Sequence, residues 1–217
     1  MTDTDIPHYE TRRDIAEYGR SLLEDDLTTG TGGNISARLD EEHIAISPSG
    51  IPYEDVAPED VLVVHTDGTV VEGEHDPSTE LPMHLAVYRE RDDVGGVVHT
   101  HSPYATTFAS LAEPIPASHY LLAFTGTEVP VAEYRTHATE ALGEAAVDAL
   151  GDEFNATLLR NHGVLTADRS LDDAYDVALM VEYCARIHYQ ARAIGEPEVL
   201  PDEEIDRLTD KLESYGQ

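Results

Sequence analysis

Val94-Gly95-Gly96-Val97-Val98-His99-Thr100-His101-Ser102-Pro103 is an apolar run that ends in two histidines and passes at once into a helix start. The run reads as a strand. Ser102 is a helix cap, and Pro103 at the first helical position opens a helix to about Leu111. Residues two apart on a strand project from one face, so His99 and His101 arrive side by side, at a strand end that abuts a helix N-terminus.

A third imidazole comes from His162, in the turn Asn161-His162-Gly163 that follows the apolar run of residues 156–160. Three imidazoles with a place left open make a catalytic zinc site. Upstream, Pro77-Ser78-Thr79-Glu80 offers a carboxylate as fourth ligand or base. Ser78 or Thr79 caps a helix running on through Leu85 and Tyr88, which puts Glu80 in its first turn, near the positive end of the helix dipole. Of the eleven histidines, His8, His43, His65, His75, His84, His137 and His188 read as ordinary surface or core residues.

Around these motifs the pattern alternates between helix and strand. Ile15, Tyr18, Leu22 and Leu23 recur at helical spacing within residues 10–27, and the segment breaks at Thr29-Gly30-Thr31-Gly32-Gly33. Short strand-like runs follow at residues 43–47 and 61–64, with turn signals at Ser49-Gly50 and Asp67-Gly68. Further helices are expected over residues 137–150, 170–194 and 202–215, the last with Ile205, Leu208 and Leu212 on one face. Short and helical connections are mixed, which predicts a layered α/β or α+β domain, not a doubly wound parallel sheet. No linker, repeat or low-complexity block divides the 217 residues, so residues 1–217 read as one domain.

Charge speaks to environment. Forty-four acidic residues against thirteen basic ones give a net charge of −31, spread along the whole sequence, with Lys211 the one lysine and no tryptophan. That surface suits concentrated salt, where the Debye length shrinks to about 3 Å and screens the self-repulsion. The fold is therefore expected to depend on salt. Nucleic acid is excluded as a partner, because phosphate backbones need Lys/Arg patches. No apolar run reaches membrane-spanning length, and the acidic start Met1-Thr2-Asp3-Thr4-Asp5 is unlike a signal peptide, so a soluble cytoplasmic protein with no membrane partner is expected. Cys184, the single cysteine, reads as a buried, unreactive thiol.

Thr31-Gly32-Gly33-Asn34, Ser47-Pro48-Ser49-Gly50 and Ser78-Thr79 each combine hydroxyl or amide groups with accessible backbone N–H groups. Together they suit an anion cradle, without a Walker loop or a Rossmann fingerprint.

Gly33-Asn34-Ile35-Ser36, the segment Ser47-Pro48-Ser49-Gly50-Ile51-Pro52-Tyr53-Glu54, Pro77-Ser78-Thr79-Glu80, Val98-His99-Thr100-His101, His119-Tyr120 and Asn161-His162-Gly163 occur in the order seen in class II aldolase/adducin-type proteins. The chain resembles that family over nearly its full length. The resemblance implies a three-layer α/β/α domain with a central, mainly antiparallel sheet, and a homotetramer with active sites between subunits. It implies His99, His101 and His162 as zinc ligands, with Glu80 as the acid/base that also approaches the metal. Tyr120 would reach a neighbouring subunit's site as proton donor, and Tyr215 would help close it. Thr31, Asn34, Ser49, Gly50, Ser78 and Thr79 match phosphate-binding positions, Ser49 and Thr79 each exchanging one hydroxyl residue for another.

The implied activity is reversible cleavage of a ketose 1-phosphate, L-fuculose 1-phosphate being the first candidate, to dihydroxyacetone phosphate and an aldehyde. Metal then takes the place of a Schiff base, in keeping with Lys211 standing apart from every motif. The same scaffold hosts ribulose-5-phosphate 4-epimerases, which carry aspartate where Glu80 stands, and methylthioribulose-1-phosphate dehydratases, which also use zinc and a glutamate. An adducin-like non-catalytic scaffold would lack the three histidines.

Overall fold

Period-two alternation assigns each strand residue to one of two helical layers. In β5 (Gly96–Thr100), Val97 packs beneath the helices α2 (Leu81–Glu90) and α4 (Glu140–Leu150). Val98 packs on the opposite face, against α1 (Tyr9–Glu24) and α5 (Leu171–Ile194). The computed structural model describes residues 6–215, apart from the side chains of residues 210 and 213–215.

The remaining strands are β1 (Asn34–Arg38), β2 (His43–Ile46), β3 (Leu62–His65), β4 (Val70–Glu72), β6 (Ile115–Pro116), β7 (Glu128–Val129), β8 (Val131–Ala132), β9 (Ala156–Leu159) and β10 (Gly163–Asp168). Of the ten strands among the described residues, eight form one sheet in the order β4-β3-β2-β1-β5-β10-β9-β8, and β6 pairs with β7. Every neighbouring pair in the large sheet is antiparallel except β8 with β9. The result is the expected three-layer arrangement on a mainly antiparallel sheet.

One layer buries Ile44, Ile46, Leu62, Val64, Leu159 and Leu165 under α2 and α4. The other holds α1 and α5, with α3 (Pro103–Leu111) beside them and α6 (Asp202–Tyr215) docked through its own Ile205. Leu208 and Leu212 pack on the same cluster, so the predicted apolar face of α6 is the one that docks. No helix among the described residues is long and apolar enough to cross a membrane.

Element ends differ from the sequence pattern where local chemistry decides. α4 starts at Glu140 because Thr139 caps it, its hydroxyl accepting from the Leu142 N–H. Glu80 is the cap residue of α2 and stands just before the first turn, with its own N–H donated to Ser78 Oγ at 3.3 Å. β1 carries too few large apolar residues to show a period. It is a strand because Ile35 and Ala37 face α1 while Asn34 and Ser36 find partners on α2. Ser102 caps α3 by position. The Tyr104 and Ala105 N–H groups at that helix start are taken by the Glu182 carboxylate of α5, at 3.0 and 2.9 Å.

Candidate active site

β5 lies between β1 and β10, which places His99 opposite Asn34 on one side and Leu165 on the other. His99 is fully buried, and His101 follows where the strand ends. The β9–β10 turn brings His162 over the same edge. Two glycines permit this closeness. A Cβ on Gly33, whose φ is +72°, would stand 2.8 Å from the His99 carbonyl oxygen, and one on Gly163 would collide with the Thr100 carbonyl and the rings of His99 and His101.

The three imidazoles are packed ring against ring, with centroids 4.8, 4.8 and 5.3 Å apart. One nitrogen from each lies within 4.8 Å of the others. His99 Nδ1 donates to the Val164 carbonyl at 2.7 Å, a bond that orients the ring and turns Nε2 toward His101 Nε2 at 3.0 Å. Imidazole nitrogens this close suit a shared cation, since ligands of tetrahedral zinc stand about 3.3 Å apart. Burial first, and then the proximity of His99, lower His101 and His162 to about 4. At neutral pH both are uncharged, as metal ligands must be. The donor set fits a divalent metal.

Glu80 completes the cluster. Its Oε2 lies 3.0 Å from His99 Nε2 and accepts from Asn34 Nδ2 at 3.0 Å. Its Oε1 is buried, accepts no hydrogen bond, and lies 3.4 Å from His162 Nε2. Burial opposes ionisation, but His99, Asn34 and His162 outweigh it and hold the carboxyl well below the usual carboxylate range. A buried carboxylate beside three imidazoles can move a proton next to a Lewis acid.

The three hydroxyl-rich turns converge beside it. Ser47 exchanges bonds with Ile35, its N–H to the Ile35 carbonyl and the Ile35 N–H to its Oγ, which ties it to the strand entered from Thr31-Gly32-Gly33. Pro48 bridges to Pro77, Ser49 N–H donates to Asp76, and Ser78 N–H donates to Ser47. Thr31, Gly50 and Thr79 are exposed, Ser49 is half-buried, and Ser78 and Asn34 are buried.

A model of the "Class II Aldolase and Adducin N-terminal domain" matches residues 13–189. This chain belongs to the class II aldolase and adducin family. A 5-deoxy-D-ribulose 1-phosphate aldolase from Bacillus thuringiensis is 47% identical over 95% of this chain and 97% of its own. An L-fuculose phosphate aldolase from Escherichia coli O6:H1 is 38% identical over 94% of each chain. A solved structure of an L-fuculose 1-phosphate aldolase superposes with a TM-score of 0.90 at 43% identity, covering 94% of this chain and 96% of that one. These homologues are lyases, and the chain is an enzyme of that class.

In this class II aldolase Tyr120 stands at the start of a short 3-10 turn (Tyr120–Phe124), half-exposed, with its ring against His119. The His119 ring packs against Tyr183, and its Nδ1 accepts from the Leu121 N–H. Tyr120 is therefore presented at the surface of the chain. Tyr215 ends α6, and its side chain lies outside the described residues. Cys184 is buried, and burial pushes its thiol up to about 12, too high for a nucleophile.

His84, Ser36 and Tyr88 of the aldolase were not singled out as site residues by sequence motifs. All three are buried behind Glu80 and hydrogen-bonded to one another or to Asn34. His84 is the core residue its sequence context suggests, but one whose ring reaches the site. The signal available was spacing: Glu80, His84 and Tyr88 recur every fourth residue on α2, and Asn34 and Ser36 every second on β1.

Proposed function

We propose that this class II aldolase reversibly cleaves a ketose 1-phosphate to dihydroxyacetone phosphate and a short aldehyde, with zinc held by His99, His101 and His162. The observation that carries the reading is the Glu80 carboxylate 3.0 Å from His99 in a cluster of three imidazoles whose nitrogens converge on one point. The substrate proposed first is 5-deoxyribulose 1-phosphate, followed by L-fuculose 1-phosphate, because the relative named for the former is 47% identical and the two named for the latter 43% and 38%. Both ketoses share the dihydroxyacetone phosphate half, so the same phosphate and proton-transfer groups serve either one.

When bound, zinc would supply Lewis-acid stabilisation of the negative charge that develops beside the substrate carbonyl. Glu80 exchanges a proton with the dihydroxyacetone phosphate carbon at which the bond breaks. Tyr120, half-exposed, exchanges a proton with the aldehyde oxygen in the site of a neighbouring copy, in a homotetramer with sites between subunits. Tyr215 of the C-terminal helix helps to close the site. Thr31, Asn34, Ser49, Gly50, Ser78 and Thr79 hold the phosphate with hydroxyl, amide and backbone N–H groups in place of lysine. The enzyme works in concentrated salt, the condition that a net charge of −31 favours.

The test is kcat/KM for both ketose 1-phosphates with zinc in molar KCl. Dihydroxyacetone phosphate from either one supports the reading, and the ratio ranks the substrates. A C4 epimer or a dehydrated product in its place would assign a different reaction to the same site.

A further inference from the structure

Four buried polar side chains form a single file behind the candidate base, Glu80. Asn34 Nδ2 lies 3.0 Å from Glu80 Oε2, and Asn34 Oδ1 lies 2.6 Å from His84 Nε2. His84 Nδ1 lies 2.6 Å from Ser36 Oγ, which lies 3.0 Å from the Tyr88 hydroxyl. Their exposures are 6% for Glu80, 5% for Asn34, 2% for Tyr88 and 0% for His84 and Ser36, so bulk water cannot replace any link. Two periodicities build the file: Glu80, His84 and Tyr88 stand one turn apart along α2, and Asn34 and Ser36 alternate on the facing side of β1.

The direction of every bond follows from the carboxylate. An ionised Glu80 only accepts, so Asn34 presents its NH₂ to it and its carbonyl to His84. His84 Nε2 must then carry the proton, and Nδ1 accepts from the Ser36 hydroxyl. Ser36 Oγ in turn accepts from Tyr88. Burial keeps the His84 ring neutral, as this sequence of donors requires. The far end is anchored: the Arg38 guanidinium lies 4.9 Å from the Tyr88 ring centroid and donates to the carbonyls of Tyr88, Arg91 and Val94. A rotated Asn34 amide would set its carbonyl against the Glu80 carboxylate and its NH₂ against the His84 N–H.

We propose that Asn34 and His84, backed by Ser36 and Tyr88, are positioning residues that hold Glu80 in one orientation, with Oε2 fixed by Asn34 and Oε1 turned toward the reacting carbon. This rests on Glu80 being the proton-transferring group. It also gives Asn34 a task besides phosphate binding, since one hydrogen of its NH₂ and its carbonyl are both committed inside the chain. The His84 ring bonds to Asn34 and Ser36 and not to the Glu80 carboxylate, so it acts through Asn34.

The experiment is steady-state kinetics of dihydroxyacetone phosphate release from 5-deoxyribulose 1-phosphate and L-fuculose 1-phosphate by the zinc-loaded enzyme. It compares wild type, His84→Phe, His84→Gln, Glu80→Gln and the double variant His84→Phe/Glu80→Gln, with zinc per subunit measured in each. His84→Phe is expected to lower kcat about 10- to 100-fold, the range for loss of a group that orients a metal-site residue, with KM and zinc content unchanged. His84→Gln, which can still donate to Asn34, is expected to recover much of that loss. In the Glu80→Gln background His84→Phe should cost nothing further, because its effect passes through Glu80.

An unchanged kcat in His84→Phe overturns the proposal, and so does an undiminished loss in the double variant. A raised KM at constant kcat would assign the file to phosphate binding and overturn it equally. Full activity in Glu80→Gln would instead remove the underlying assignment of the base. If His84→Phe does not fold, Ser36→Ala decides: at least a threefold lower kcat with KM and zinc retained supports the proposal, and an unchanged kcat overturns it.

Discussion

Asn34 and His99 are direct cross-strand partners on β1 and β5, and both reach the same atom, Glu80 Oε2, at 3.0 Å. One rung of the sheet therefore sets the candidate base from two sides. Strand register is fixed by which face is buried, so the site inherits the rigidity of the sheet centre. Ile35 and Val98, the next pair along, are both buried on the opposite face and lock that register.

Removing one imidazole should empty the site. His101→Ala leaves two histidines, and its zinc content should fall well below one per subunit at micromolar free metal. Activity should drop by more than the roughly 10- to 100-fold typical of losing a supporting partner. A strong chelator should inactivate the wild type, and added zinc should restore it. Metal analysis and dihydroxyacetone phosphate release check both; a chelator-resistant activity that also survives His101→Ala would contradict the metal assignment.

Gly33 and Gly50 share a left-handed backbone, with φ of +72° and +73°, but differ in surroundings. A Cβ at Gly50 meets nothing within 4 Å, whereas one at Gly33 meets the His99 carbonyl. Gly50→Ala should cost about 1 kcal/mol of backbone strain. Gly33→Ala should cost more, at the upper end of about 1–3 kcal/mol, and should also lower metal affinity. Denaturant midpoints of the two variants compare them directly.

His84 gives the fold a pH dependence of predictable sign. Burial lowers it from 6.5 to about 3, so between those values the unfolded chain binds a proton that the native protein does not. Stability is fully present above about 6.5 and is lost as pH falls through the window, at up to about 1.4 kcal/mol per pH unit from this group. Unfolding free energies of His84→Gln should fall less steeply over the same range. Identical slopes for variant and wild type would show that His84 is protonated in the folded state.

Low salt should loosen the molecule. At 0.1 M the Debye length is about 10 Å, long enough for neighbouring acidic groups to repel one another, whereas at 1 M it is about 3 Å. With a net charge of −31, the melting temperature should rise steeply between 0.1 and 2 M KCl. A melting temperature independent of salt would contradict a halophilic surface.

The strand-then-helix reading at Val94–Pro103 and the placement of two histidines on one face were legible because both depend on neighbours in sequence. α3, α5 and α6 were legible for the same reason, through caps and helical periodicity. The mainly antiparallel sheet came from ordered motifs, since pairing partners lie far apart along the chain. β1 escaped periodicity because its outward pattern is made by Asn34 and Ser36, small polar residues whose burial makes sense only once α2 is in place. The same reason hid the role of His84: its partners, Asn34 and Ser36, are 50 and 48 residues away.

Dihydroxyacetone phosphate release by wild type and Glu80→Gln, each loaded with zinc in molar KCl and offered 5-deoxyribulose 1-phosphate, tests the central claim most directly. Release by the wild type that falls at least 100-fold in a zinc-replete Glu80→Gln, in line with the loss of a general acid–base group, is the predicted result. Equal release by both proteins, or none from any ketose 1-phosphate with zinc in place, would contradict it.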